Sequence, residues 1–286
     1  MKLILSRKGF DASSGGIASP ILPDGRMISL PIPSRGDGFT FADINVQDIN
    51  VGELLTDLSR GQHAIHGQIH LDPDLDRSAD KRLPGWRPAL GQTGAAQTHL
   101  FRQGVGLGDA FLFFGWFREV EKYQGIWRYV PGTPDLHVLF GWLEVGAIIS
   151  LAQMRQGAID QFPWIADHPH VANPGAYADL NNTLYVATAH SIIKPGAPYG
   201  GGRFSHFADL LRLTAPGESR SMWSLPRWFY PEGRPAISYH GSMKRWTLRD
   251  DDVLLNCVGR GQEFVIDGND YPELGNWASS IIRKHS

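Results

Sequence analysis

Lys8, Asp11, His70, Asp72, His137 and Glu263 are the side chains of this chain whose types suit acid–base chemistry, and each sits in a stretch that also offers ligand anchors. Histidine titrates near neutrality, and a buried carboxylate or lysine can be tuned to the same range by its neighbours. The densest stretch is HAIHGQIHLDPDLDR, residues 63–77, with His66-x-x-x-His70-x-Asp72-x-Asp74 at alternating positions. On a strand that spacing puts His66, His70, Asp72 and Asp74 on one face. Two imidazoles and a carboxylate could then meet a metal, or Pro73 ends the strand and the aspartates form a polar rim that caps a turn. No cysteine partner and no familiar metal-ligand spacing accompany them, so no metal ligand and no cofactor is assigned.

His137 and His170 are further candidates, each readable as a reacting ring or as a satisfied core group. Asp135 precedes His137 by two, where alternation would let the carboxylate orient or charge the ring. At the N-terminus, Arg7, Lys8 and Asp11 lead into Ser13, Ser14, Gly15 and Gly16. Cations, hydroxyls and backbone amides together suit a phosphate or carboxylate, and the alternative is a mobile polar loop. No Gly-Lys-Ser/Thr ending follows, so nucleoside triphosphate hydrolysis is unsupported. In Gly259-Arg260-Gly261-Gln262-Glu263, Arg260 and Gln262 can read phosphate or base edges, unless Arg260 forms a structural ion pair with Glu263. Trp116, Trp142, Trp223, Trp228 and Trp246 could stack a base, although most belong to a core. Cys257 lies among Leu254, Leu255 and Val258 and reads as an inert buried thiol.

These groups need a scaffold. Two long apolar segments, 110–120 and 136–149, each carry Phe-Gly-Trp followed by an acidic residue, which predicts two strands that bend at a glycine. Val51, Leu54, Leu55 and Leu58 fall at helical spacing behind a capping Asn50, so a helix is predicted over 50–61. Further helices are expected at 93–103, 205–213 and 271–283. Strands are expected at 2–6, 183–189, 252–258 and 263–266, with 238–240 pairing with 245–247. Residues 76–88 read as surface loop.

The 33 glycines and 19 prolines imply many tight turns, which favours sheets over a helical bundle. A formal net charge of −2 gives no overall positive field, so nucleic acid would be held by a local patch or by capture of one nucleotide. One cysteine cannot close an intramolecular disulfide, and no apolar run approaches the roughly 18 residues of a membrane span. A cytoplasmic protein without a membrane partner is expected.

Several stretches together carry a family resemblance: Ser6-Arg7-Lys8-Gly9-Phe10-Asp11 with Gly15-Gly16 and Ser19-Pro20, His70-Leu71-Asp72-Pro73-Asp74, GVGLGDAFLFFGWFR, Asp135-Leu136-His137 with Phe140-Gly141-Trp142, His168-Pro169-His170, and Arg260-Gly261-Gln262-Glu263-Phe264. This set resembles the third nucleotide-modification-associated domain family, a group associated with phage and bacterial DNA base hypermodification. The resemblance implies a role near modified bases and transfers no established reaction. The helix, Gly108-Asp109 turn and long strand at the centre also resemble the sheet entry of PUA, ASCH and EVE-type domains, which implies a compact barrel with a nucleobase pocket at one end.

The expected architecture is one α+β domain over 1–286, a curved mixed sheet or partly open β-barrel with a PUA-like core and a few peripheral helices. The expected activity is hydrolysis or group transfer on a modified nucleobase, with a 7-deazaguanine derivative as one concrete substrate. Catalysis would fall to Lys8, Asp11, His70, Asp72, His137 and Glu263. Arg7, Ser13, Ser14, Asp135, Trp116, Trp142, His170, Arg260 and Gln262 would hold the substrate. The alternative is a reader that binds a modified base or nucleotide without chemistry. DNA or a modified nucleotide is the expected partner, together with other proteins of a DNA-modification system.

Overall fold

The two Phe-Gly-Trp segments pair with each other at the centre of the computed structural model, which describes residues 1–35, 38–75, 83–173, 175–177 and 181–286. In chain order the strands are β1 (Lys2–Arg7), β2 (Ser19–Ile21), β3 (Ile32–Pro33), β4 (Phe39–Thr40), β5 (Asn45–Val46), β6 (Ile49–Asn50), β7 (Gln68–His70), β8 (Ala89–Gln92), β9 (Ala110–Tyr123), β10 (Ile126–Tyr129), β11 (Leu136–Ser150), β12 (Thr183–Ala187), β13 (Gly201–Arg203), β14 (Met222–Pro226), β15 (Trp246–Leu248), β16 (Asp252–Asn256) and β17 (Glu263–Asp267). The α-helices are α1 (Val51–Leu58), α2 (Gly94–Arg102), α3 (Leu151–Gln161), α4 (Pro169–Ala172) and α5 (Leu274–His285).

The main sheet runs β17-β1-β9-β11-β12-β8, with β1 parallel to β9 and the other neighbours antiparallel. Among the described residues no ladder joins edge strand β17 to edge strand β8, so the sheet does not close into the barrel that the PUA-like reading expected. It curls instead. β9 and β11 slip register between Leu139 and Gly141, and the β11–β12 pairing slips again between Val145 and Ala147. Bulges of this kind bend a strand and tighten its twist. Glycine suits the first slip, because a Cβ on Gly141 would lie 2.5 Å from Leu75 Cδ1, which would have to shift, and 3.0 Å from the Gly202 carbonyl.

The curl brings the two edges within side-chain reach of each other. Gln92 Nε2, at the end of β8, donates to Glu263 Oε1, at the start of β17, at 2.6 Å. The outer side of β8 is covered rather than left open to another chain. Asp74 and Ala89 exchange backbone hydrogen bonds, and Asp72 Oδ1 accepts from the Gly91 N–H at 2.7 Å.

A second sheet, β14-β16-β15, packs on the main one through aromatic edges. Phe114, fully buried in β9, lies 5.0 Å from Trp223 and 6.0 Å from Phe264 between ring centroids. Helix α5 buries Leu274, Ala278, Ile281 and Ile282 in the same core. Helix α1 forms as its spacing predicts, with Asn50 Oδ1 accepting the Glu53 N–H at 3.1 Å and Val51, Leu54, Leu55 and Leu58 buried.

Three expectations need correction or qualification. Residues 205–213 do not form a helix beyond the single turn Asp209–Leu211, because their backbone groups bond elsewhere: Ser205 accepts from Met27, Phe207 donates to Gly25 and Leu213 donates to His137. Leu210 is exposed while Leu211 beside it is buried. Strand β15 forms, but it pairs with β16, while 238–240 makes a turn closed by the His240 N–H on the Ile237 carbonyl. Of the expected surface loop, 76–82 lies outside the described residues, and Trp86 beyond it is buried with its indole N–H on Asp74 Oδ2 at 3.1 Å. Among the described residues no helix is long and apolar enough to cross a membrane.

Phe114→Ala removes the ring that joins the two sheets and should cost about 3–5 kcal/mol of stability in urea unfolding. Asn50→Ala, which removes the helix cap and the part-buried Asn50 Nδ2 bond to the Ala42 carbonyl but no core ring, should cost about 1–2 kcal/mol. Equal effects from the two would contradict this division of the core.

Candidate functional site

Beyond Arg7 the chain continues along β9, with the Lys8 N–H on the Phe114 carbonyl at 2.9 Å, then leaves the sheet until β2 rejoins β9. Asp11 shapes the excursion. Its Oδ1 accepts from the Ser13 N–H and the Ser13 hydroxyl, both at 2.7 Å, and from the Ser14 N–H at 2.8 Å. Gly15 has φ +89°, and a Cβ there would come within 2.2 Å of the Phe10 ring. The loop is therefore a fixed turn in which the Ser13, Ser14 and Gly16 amides already bond to Asp11. They do not form the anion nest that the sequence suggested. Arg7, Asp11 and Ser13 form a wall shared by two clefts.

The first cleft, about 250 Å³, lies in the seam between the two sheet edges. It gathers Lys8, Asp11, Ser13, Ser14, His70, Asp72, His170 and Gln262 from the sequence candidates and adds Gln92 and Tyr177. Lys8 Nζ sits 3.2 Å from Glu263 Oε1, with the two side chains 9% and 1% exposed. Among the described residues Glu263 Oε2 is buried without a hydrogen-bond partner. Glu263 thus pairs with Lys8, not with Arg260.

Around Asp72 the groups form a connected network. Asp72 Oδ2 lies 3.8 Å from His70 Nε2, and Oδ1 lies 3.4 Å from His168 Nε2. The Tyr177 hydroxyl is 2.8 Å from His70 Nδ1. Asn182 Nδ2 donates to the His170 carbonyl at 3.1 Å, which orients its amide so that Oδ1 accepts from His170 Nδ1 at 2.7 Å. That leaves the His170 proton on Nδ1 and a lone pair on Nε2. The ring stacks on Tyr177 at 4.2 Å and crosses Gly91, where a Cβ would lie 2.2 Å from His170 Cδ2. Burial opposes charge on Asp72, yet the His168 and His70 contacts outweigh it and hold the carboxyl well below its usual range. Burial lowers His170 to about 4.

The second cleft, about 790 Å³ and more open, is lined by Trp116, Asp135, His137 and Arg220 beside the shared wall. The Arg220 guanidinium lies over the Trp116 ring at 4.1 Å. Asp135 accepts the Trp116 indole N–H at 2.9 Å and does not pair with His137. The alternation argument fails because β11 begins only at Leu136. His137 Nδ1 instead accepts from the Trp223 indole at 2.9 Å. Burial, reinforced by Arg7 and Arg220, keeps its pKa well below the ordinary value, so the ring is neutral at pH 7. Arg7 donates to the carbonyls of Gly259 at 2.7 Å and Val258 at 2.8 Å, and so straps that segment to β1.

Not every candidate reaches a cleft. Arg260 is exposed and lines neither, and Trp142 is buried in the core. His66 is exposed, because β7 begins only at Gln68. Burial raises the Cys257 thiol to about 12, so it is protonated at neutral pH and makes no nucleophile. Sequence reasoning missed Gln92, His168, Tyr177, Asn182 and Arg220. His168 could have been found beside His170 in the His-Pro-His motif, whereas Gln92 becomes visible only once two sheet edges meet.

The profile of the family described as nucleotide modification associated domain 3 matches residues 2–267. No curated protein and no solved structure matches the chain.

His240 holds this region from behind: its Nδ1 bonds the Ser238 carbonyl at 2.8 Å, and its Nε2 accepts from the Val258 N–H at 3.2 Å. Burial, with Arg245 and Arg7 adding repulsion, lowers its pKa to about 4. The unfolded chain therefore binds a proton that the folded one does not as pH falls from about 6.5 to 4. Stability is lost over that window, by on the order of 3 kcal/mol. Urea unfolding should show a flatter pH dependence for His240→Gln than for the parent, and parallel curves would contradict the assignment. Lys8→Met strands a buried carboxylate and should cost about 3–5 kcal/mol, with part recovered when Glu263→Gln is added. A double variant no more stable than Lys8→Met would show that the two charges are not coupled.

Proposed function

Because the chain belongs to the nucleotide modification associated domain 3 family, whose name places it in nucleotide or DNA modification, we propose that it modifies a nucleobase held in the seam cleft. The observation that carries this reading is the convergence of Lys8, His70, Asp72, His170 and Gln262, from four separate parts of the chain, on one partly buried hollow. The stacked His170 and Tyr177 rings offer a flat wall to a base. Gln92 and Gln262 offer amides that match donor and acceptor positions on its edge. The imidazoles, the Asp72 carboxylate and the Lys8 ammonium supply proton donors and acceptors for hydrolysis or group transfer. A 7-deazaguanine derivative remains the substrate class we favour.

The larger cleft suits the remainder of a nucleotide or an adjoining strand. Arg220 spread over Trp116 makes a flat cationic surface beside the Ser13 hydroxyl. Such a local patch is what a chain of net charge −2 needs in order to hold a polyanion. The same surface favours the second reading, recognition of a modified base without chemistry.

The test is to incubate the protein with free nucleotides and oligonucleotides carrying plain or 7-deazaguanine bases, then digest and weigh the nucleosides. Modification should appear on at least one substrate and fall by about 10²-fold or more in His70→Ala, with binding changed far less. Unchanged masses with tight binding that survives His70→Ala would leave only the reader. Neither turnover nor binding across the set would overturn both readings.

A further inference from the structure

We infer that His70, Asp72 and His170 form a binding site for a divalent transition-metal ion. One ligand atom from each lies within 4.8 Å of those of the other two. The inference goes beyond the base-modification proposal and does not depend on it, since it stands on how the three side chains are held.

Each has its outer atom anchored, and the anchor leaves the inner atom facing the others. Tyr177 engages His70 Nδ1, which turns Nε2 toward Asp72. Asn182 Oδ1 takes the His170 Nδ1 proton, which leaves Nε2 as the basic nitrogen. The Gly91 N–H and His168 meet Asp72 Oδ1, on the side away from His70. Metal-ligating imidazoles and carboxylates characteristically have such outer partners, which fix the tautomer and aim the lone pair. Gly91 lets the His170 ring approach, because any side chain there would collide with it.

Separation decides between a metal site and a hydrogen-bonded catalytic pair. The 3.8 Å between His70 Nε2 and Asp72 Oδ2 is too long for a hydrogen bond, whose heavy atoms lie about 2.7–3.2 Å apart. Two ligands on one ion with bonds of about 2.1 Å cannot be more than about 4.2 Å apart, so the observed gap fits a shared ion after a shift of about 1 Å or less. His168 holds the other oxygen of that carboxylate: its Nδ1 accepts the His170 N–H at 3.3 Å, and its Nε2 lies 3.4 Å from Asp72 Oδ1. Two imidazoles with one carboxylate select zinc, iron, manganese or cobalt over magnesium or calcium, which prefer oxygen ligands. Three protein ligands also leave a coordination position for water or substrate in the cleft that Lys8, Gln92 and Gln262 line.

The experiment uses the full chain, stripped with a chelator and then titrated with zinc by calorimetry and with cobalt(II) by absorption. One equivalent should bind, with visible cobalt bands that disappear in His170→Ala. Asn182→Ala, which releases the His170 ring, should weaken binding by about 10–100-fold. Cobalt-shifted ring protons in proton NMR of the parent chain need no variant, and they should come from His70 and His170 but not from His66 or His206. Failure of the parent to bind one equivalent at millimolar metal would overturn the site. So would shifts confined to surface histidines, or full binding by a His170→Ala chain shown to be folded by circular dichroism. Stoichiometric binding without any base turnover would leave this site standing while the proposed reaction fails.

Discussion

An ammonium and a carboxylate lie 3.2 Å apart at the seam of this protein, almost withdrawn from water. A buried charge is tolerated only when it is paired and hydrogen-bonded, so Lys8 and Glu263 must stay together, and Glu263 must keep the amide of Gln92. Glu263 begins one edge strand and Gln92 ends the other. One polar contact thus ties the sheet's two free edges without a backbone ladder. The bulges in β11 supply the curl, and the contact sets where it stops.

A closed ladder would have filled that seam with strand. Left open, it exposes strand ends, and strand ends are where side chains from distant parts of the chain can meet. Asp72 shows the double duty this demands. Its Oδ1 satisfies an edge amide of β8, while its Oδ2 faces His70. Structural satisfaction and chemical poise are divided between the two oxygens of one carboxylate. The Asp11 turn is similar in kind: its hydrogen bonds are internal, which makes it a rigid partition between the clefts instead of a ligand grip.

The parts of this arrangement legible in sequence are those fixed by local physics. Asn50 with Val51, Leu54, Leu55 and Leu58 declares a capped amphipathic helix from eight or nine residues. Phe-Gly-Trp at 140–142 announces the bend, because a glycine inside an aromatic strand marks a bulge or a close approach, here of Leu75 and the Gly202 backbone. Long-range geometry was not legible. Nothing near Gln92 says that it will meet Glu263, and the pairing of Lys8 with Glu263 in place of Arg260 depends on β1 lying beside β17. His137 looked like a partner for Asp135 by alternation, but the strand starts between them. The segment 205–213 had helical spacing, yet tertiary backbone bonds claimed its amides first. His70 and Asp72 were found together, whereas the rings completing their network arrive from beyond the second long strand.

The most direct measurement of the central claim is amide chemical-shift mapping of the isotopically labelled chain during titration with nucleotides bearing plain and 7-deazaguanine bases. If the open seam is the binding site, the amides of Lys8, Gly91, Gln92 and Gln262, drawn from both edges, shift together along one saturation curve. Saturable shifts confined to faces away from both edges would contradict it.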